Sequence, residues 1–398
     1  MLASLSLIFL VGLAMGAICQ KLKMPRIIGM LVTGIVLGPY VLDFLDPSIL
    51  SISSELRKLA LIIILLKAGL SLDLKDLKKA GRPAILMSFV PATCEIAGYI
   101  LFAPLLLGIN RIEAAVMGAV LGAVSPAVVI PRMVMLMEEK YGTKKAIPQM
   151  IMAGASCDDI FVIVLFTTFL SMAQGGSADI IDFVNIPVSI VLGILLGAVT
   201  GYGLYLFFET SYAHKHCVRN SIKVIIVLGF SMLLVSVEGW LEGKVSVSGL
   251  LAVVSMACVI KIKSTAFVSK RLSEKFGKLW IAAEVVLFVL VGAAVDIRYT
   301  LSAGIAAVFM IFIALIFRTA GVLICMIKTK LNMKERIFCV IAYLPKATVQ
   351  AAIGSVPLAA GLVCGKIILS VAVLAIIITA PLGALGIDNT YKKLLEKE

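Results

Sequence analysis

The chain has 398 residues, 61% of them hydrophobic, and a mean hydropathy of +1.10. A soluble domain is roughly half apolar, so this excess calls for a solvent other than water. The formal charge of +13 would suit a nucleic-acid partner, but the placement of the charges argues against one.

Apolar runs of about 20 residues, each long enough to cross a hydrocarbon core of ~30 Å, recur from end to end. Thirteen transmembrane helices are predicted: 2–19, 27–42, 59–72, 84–107, 113–137, 147–173, 183–208, 222–237, 245–260, 279–295, 301–327, 337–360 and 366–387. The first has no basic residue ahead of it, as a cleavable signal peptide would, and reads as a retained helix. The longest polar interruption, 261–278, reads as a loop. No hydrophilic block is large enough for a soluble module, so 1–398 reads as one all-α membrane domain.

The connecting segments test this count. Those after odd-numbered spans, with the C-terminal tail, carry 26 Lys and Arg; the N-terminus and those after even-numbered spans carry 6, with Lys223 and Lys366 at the span edges counted as loop residues. This alternation is the positive-inside pattern, and it predicts an N-terminus outside and a C-terminus in the cytoplasm of a cell-membrane protein. Four basic residues stay within spans: Lys67, Arg132, Arg318 and Lys346. Lys67 and Arg132 are close enough to a cytoplasmic helix end to snorkel to the interface.

Similar features return seven spans apart. The third span closes on Gly69 and Asp73, the tenth on Gly292 and Asp296, both as G-x-x-x-D. Gly29-Met30-Leu31 in the second span matches Gly249-Leu250-Leu251 in the ninth. The fifth is interrupted at Ser125-Pro126 and the twelfth at Pro345-Lys346. Proline removes an N–H and clashes with the preceding turn, so both helices should be broken. An odd offset inverts matching helices, which predicts two inverted six-helix repeats, about 1–173 and 222–387, joined by a linker helix 183–208. Paired interrupted helices in inverted repeats point to the binding site of a secondary transporter.

Asp158 and Asp159 lie about eleven residues into span six, ~16 Å along its axis and near the midplane. Such carboxylates are costly and mark function. Their side chains diverge by roughly 100°, so one can face a cavity while the other meets a neighbouring helix. A site of this kind can hold a proton or a small hard cation, and oxygen ligands suit Na⁺ and Li⁺. Glu95, Arg318 and Lys346 are also deep and need partners; Glu95 with Arg318 is one expected pair. Lys346, beside Pro345, is placed to neutralise exposed helix carbonyls and to hold Asp158 ionised. Glu238, Glu284 and Asp296 read as interfacial, His214 and His216 as solvated loop residues, and the eight cysteines as reduced, packed thiols.

At Gly122-Ala123-Val124-Ser125-Pro126-Ala127-Val128-Val129, Gly154-Ala155-Ser156-Cys157-Asp158-Asp159-Ile160 and Leu344-Pro345-Lys346-Ala347-Thr348-Val349-Gln350-Ala351, the chain resembles the cation/proton antiporter superfamily and, within it, the NHA-type Na⁺/H⁺ antiporter branch. The resemblance covers nearly the whole chain. It implies an NhaA-like fold with two crossing broken helices, a mobile core domain and a homodimer. It implies Asp159 as the main ion- and proton-carrying carboxylate, Asp158 as its neighbour, Ser125 at the site, and Glu95 as partner of Arg318. Arg318 stands where several electrogenic relatives carry Lys, and Arg does not give up its proton.

No nucleophile–base pair, phosphate-binding loop or metal-ligand cluster argues for an enzyme, and no cofactor is implied. Antiport of Na⁺ or Li⁺ for H⁺ by alternating access, electroneutral at the Asp158–Asp159 site, is the expected function. K⁺/H⁺ antiport, Na⁺-coupled symport and a cation channel are the alternatives.

Overall fold

Every regular element is helical among the described residues, which are 1–22, 24–71, 74–175, 180–213, 220–241 and 247–398 of a computed structural model. The elements run α1 Leu2–Lys21, α2 Arg26–Leu37, α3 Pro47–Ser51, α4 Ser53–Ser71, α5 Leu74–Met87, α6 Val90–Leu107, α7 Arg111–Leu121, α8 Pro126–Glu138 and α9 Ile147–Gln174. They continue as α10 Ile180–Ala213, α11 Asn220–Leu241, α12 Gly249–Lys263, α13 Ala266–Ala293, α14 Ile297–Cys325, α15 Met333–Ala342, α16 Thr348–Ile353, α17 Val356–Ala359 and α18 Gly365–Leu394. Nine helical stretches among the described residues are long and apolar enough to cross a membrane. Their outward side chains include Leu105, Val199 and Ile305, all well exposed. Such faces suit lipid, where each helix satisfies its own backbone. Asp73, His214, His216 and Cys217 lie outside the described residues.

The chain divides into two compact units, Met1–Ser54 with Asp73–Gln174 and Val285–Glu398, and Glu55–Leu72 with Gly175–Glu284. In the first, α2 crosses α13 where Gly292 meets Gly34: a Cβ on Gly292 would sit 3.1 Å from the Gly34 Cα. In the second, α4 crosses α12 at Gly69, whose added Cβ would come within 2.7 Å of the Ala257 Cβ. Gly193, Gly197 and Gly201, one turn apart on α10, lie against Ser248, Ala252 and Met256. Small residues at four-residue spacing let apolar helices pack closely when no hydrophobic effect drives them together.

Two expectations from sequence are corrected here. Residues 266–278, read as loop, form the first half of α13. Leu272, Phe276 and Trp280 recur every four residues and are buried, an amphipathic stripe that the basic residues between them obscured. Glu284, read as interfacial near a helix start, therefore lies well inside α13, and it is buried. Arg132 donates two parallel bonds to Asp388 on α18, 2.9 and 3.0 Å, and a third to the Val128 carbonyl.

The fifth and twelfth predicted spans are both broken. α7 stops at Leu121 and α8 starts at Pro126; α15 stops at Ala342 and α16 starts at Thr348. Each broken helix opens with the same capping box, Asn110 with Glu113 and Asn332 with Glu335. In this box the Asn side chain and the Glu carboxylate satisfy each other's backbone N–H. The proline of each break lacks the N–H that would continue the ladder.

Candidate functional site

The two breaks meet inside the first unit. The Ser125 amide donates to the Pro345 carbonyl at 2.7 Å. Helix ends leave carbonyls without intrahelical partners, and burial makes that expensive. The C-caps of α7 and α15 are Gly122 and Tyr343. Arg318, from α14, satisfies both: Nη1 lies 2.5 Å from the Gly122 oxygen and Nε 2.6 Å from the Tyr343 oxygen. Its guanidinium also lies over the Tyr343 ring, 5.4 Å from the centroid.

The same guanidinium binds two carboxylates. Nη1 lies 2.7 Å from Glu95 Oε2 on α6, and Nη2 lies 3.2 Å from Asp158 Oδ2 on α9. Asp158 Oδ2 also accepts from the Val124 amide at 2.8 Å, in the first break. Lys346, in the second break, places Nζ 2.5 Å from Glu95 Oε2. Its backbone N–H donates to Thr379 Oγ1 on α18 at 2.9 Å. Glu95, Arg318, Lys346, Asp158 and Asp159 are all buried.

Glu95 and Arg318 therefore form the pair expected from sequence. The direct bonds are shared out between the two cations. Arg318 neutralises the helix-end carbonyls, and Arg318 bonds Asp158, whereas Lys346 bonds Glu95. A forked guanidinium serves several acceptors at fixed angles, which an ammonium cannot.

Asp159 stands apart from this network. Its Oδ1 is buried with no hydrogen-bond partner, as are Asp158 Oδ1, Ser125 Oγ and Thr348 Oγ1. Burial without a partner costs a polar oxygen about 1–3 kcal/mol, so these four, on the break segments and at 158–159, are open to a ligand; Gln149 Oε1, at the start of α9, is unpartnered too. Carboxylate and hydroxyl oxygens are the donors a hard monovalent cation takes. Thr348 was not singled out from sequence. Its signal was its place directly after Pro345-Lys346-Ala347, where a hydroxyl caps nothing. Gln350 was also missed, and so was the repeated Asn-x-x-Glu box, a further match at the seven-span offset.

Three buried carboxylates, Glu95, Asp158 and Asp159, face two buried cations, Arg318 and Lys346. The formal balance is one negative charge, which one monovalent cation or one proton cancels.

Buried carboxylates where two broken membrane helices meet define a secondary ion transporter. Comparison with known proteins narrows the class. The family described as "Sodium/hydrogen exchanger, transmembrane" matches residues 5–392. Sodium/hydrogen exchanger 9B2 of Homo sapiens is 35% identical over 388 residues, covering 94% of this chain and 70% of that protein. Sodium/hydrogen exchanger 9B1 of Homo sapiens is 31% identical over 418 residues, covering 100% of this chain and 78% of that one. The fold is similar to that of the sodium proton antiporter MjNhaP1 from Methanocaldococcus jannaschii, with a TM-score of 0.82 at 20% identity, covering 99% of this chain and 98% of that one. The chain belongs to the sodium/hydrogen exchanger family, within the cation/proton antiporter superfamily.

Proposed function

We propose that the chain exchanges one Na⁺ or Li⁺ for one H⁺ at Asp158 and Asp159, by alternating access. The single uncompensated negative charge of the buried cluster carries this reading. Bulk charge separation in a low-dielectric site is costly, so the cluster is most stable when neutral. A cluster neutral with either Na⁺ or H⁺ bound can be reoriented in both states without moving net charge. Asp159, with an unpartnered oxygen and no cation bonded to it, is the exchanging carboxylate. Asp158, held by Arg318 and the Val124 amide, stays ionised and lends its free oxygen to the cation.

The same reading takes the chain as thirteen transmembrane helices in two inverted six-helix repeats around α10. The contact of α2 with α13 at Gly292 and that of α4 with α12 at Gly69 are what an inverted seven-span offset generates from one ancestral contact. The paired capping boxes support it too. The Lys and Arg asymmetry supports an N-terminus outside and a C-terminus in the cytoplasm. The functional form is taken as a homodimer in the cell membrane.

The test is purified protein in vesicles with an imposed pH gradient. Na⁺ or Li⁺ should collapse the gradient, and Asp159→Asn should abolish that response while the protein remains folded. Near-parental proton flux in Asp159→Asn sinks the site assignment. A sustained transport current on Na⁺ addition, reversed by membrane potential and missing in Asp159→Asn, refutes the one-for-one exchange.

A further inference from the structure

The first break presents three successive carbonyls, of Leu121, Gly122 and Ala123. Arg318 takes the middle one. The other two face Gln350, on the first turn of α16, whose Nε2 lies 2.8 Å from the Ala123 oxygen and 3.4 Å from the Leu121 oxygen. The other end of the same carboxamide reaches back to its own break: Oε1 accepts from the Ala347 amide at 2.8 Å. Gln350 is fully buried, at 0% exposure. A carboxamide sets an acceptor and a donor side by side on one plane without charge at any pH.

The Ala123 carbonyl belongs to the same peptide unit as the Val124 N–H. That unit is planar and rigid. Gln350 holds its oxygen, and Asp158 Oδ2 takes its N–H at 2.8 Å. The chain of contacts therefore runs from the Ala347 amide, through the carboxamide and one peptide plane, to Asp158. Hydrogen bonds in such a chain polarise one another, so donation to the carbonyl strengthens the N–H aimed at the carboxylate.

We propose that Gln350 is a positioning residue for cation exchange, orienting the 123–124 peptide toward Asp158 and tying the two breaks into one body. This rests on the exchange reading above. It acts through Asp158 and touches no transported ion. Without the clamp the peptide plane is free to turn, and the Asp158 oxygen offered to Na⁺ loses its fixed direction. Supporting partners of a ligating group are worth about 10–100-fold in metal affinity when removed. The loss belongs in the apparent Na⁺ affinity, because the exchanging group itself is untouched.

The experiment measures Na⁺-driven proton flux in proteoliposomes against Na⁺ concentration. Gln350→Met and Gln350→Leu keep the approximate volume without the hydrogen bonds. Asp159→Asn is run alongside. The expected result is a KM for Na⁺ raised about tenfold or more in both Gln350 variants, with kcat within about threefold of the parent. A parental KM in either variant overturns the proposal. So does a fall in rate at unchanged KM that tracks the amount of folded protein, or a failure of both variants to fold, because either assigns the clamp to folding alone. If Asp159→Asn is inactive and the Gln350 variants behave as the parent, only the clamp falls. If Asp159→Asn is active, the exchange site itself is wrong.

Discussion

Arg318 bonds acceptors from four separate segments: Glu95 on α6, Gly122 in the first break, Asp158 on α9 and Tyr343 at the end of α15. The two carbonyls are helix-end groups, and the two carboxylates each take a second donor, Lys346 on Glu95 and the Val124 amide on Asp158. Arg318→Lys keeps the charge but cannot span four acceptors with one compact ammonium. That variant should melt several degrees below the parent in detergent, and its exchange should remain electroneutral if Asp159 alone exchanges. A Lys variant that melts with the parent would show that the fork is dispensable. Glu95→Gln removes the carboxylate shared by Arg318 and Lys346. Breaking a buried ion pair from one side costs about 3–5 kcal/mol, so a marked loss of thermal stability is expected, larger than for Asp159→Asn. Asp158→Asn should retain part of the flux or change coupling. If it loses as much as Asp159→Asn or more, the two roles are reversed.

At the scale of elements, the capping boxes do more than end helices. Glu335, inside the box of α15, also takes Lys145 at 2.8 and 2.9 Å from the turn just before α9. The helix that carries Asp158 and Asp159 is thereby pinned at its start to the second broken helix. Glu335 holds the Lys145 ammonium above its ordinary pKa of 10.5. A raised lysine contributes its stability below 10.5 and loses it only as pH climbs through the higher folded value. The pin is therefore intact throughout the neutral range and is not a pH sensor. Lys145→Met should lower the melting temperature by an amount that is constant between pH 6 and 9, which a series of melts in that range (roughly one per unit) will check. A second tie lies beside it. Glu396 and Glu398 exchange backbone bonds with Gly142 and Lys140, and the Tyr391 hydroxyl donates to Glu139 at 3.0 Å.

At the scale of the whole molecule, the 26-to-6 imbalance of Lys and Arg between alternate segments is the orientation signal. It predicts that a single reporter Cys replacing the exposed Lys270, on a cysteine-free background, labels from the cytoplasmic side only. Labelling from outside would invert the proposed topology. Lys270 sits on the helical extension of α13, so the reporter is held on an ordered element.

The one-dimensional pattern determined that the chain is all-helical and lives in lipid, where its helices break and which carboxylates are too deep to be ornamental. These are local properties: hydropathy over about 20 residues, a proline's missing N–H, a charge without water. The pairing of Glu95 with Arg318 was legible because each needed a partner at depth. That Arg318 and not Lys346 would reach Asp158 and the helix-end carbonyls was not, because the contact joins residues 160 positions apart and depends on the angle at which α14 passes the breaks. The helix over 266–278 was hidden because its buried stripe of Leu272, Phe276 and Trp280 is interleaved with Glu274, Lys275 and Lys278, which lower the windowed hydropathy without disturbing the period. The Gln350 clamp could be decided only in three dimensions. A glutamine in sequence has no address, and its two hydrogen-bonding ends acquire one when two broken backbones, far apart along the chain, are brought within reach of a single side chain.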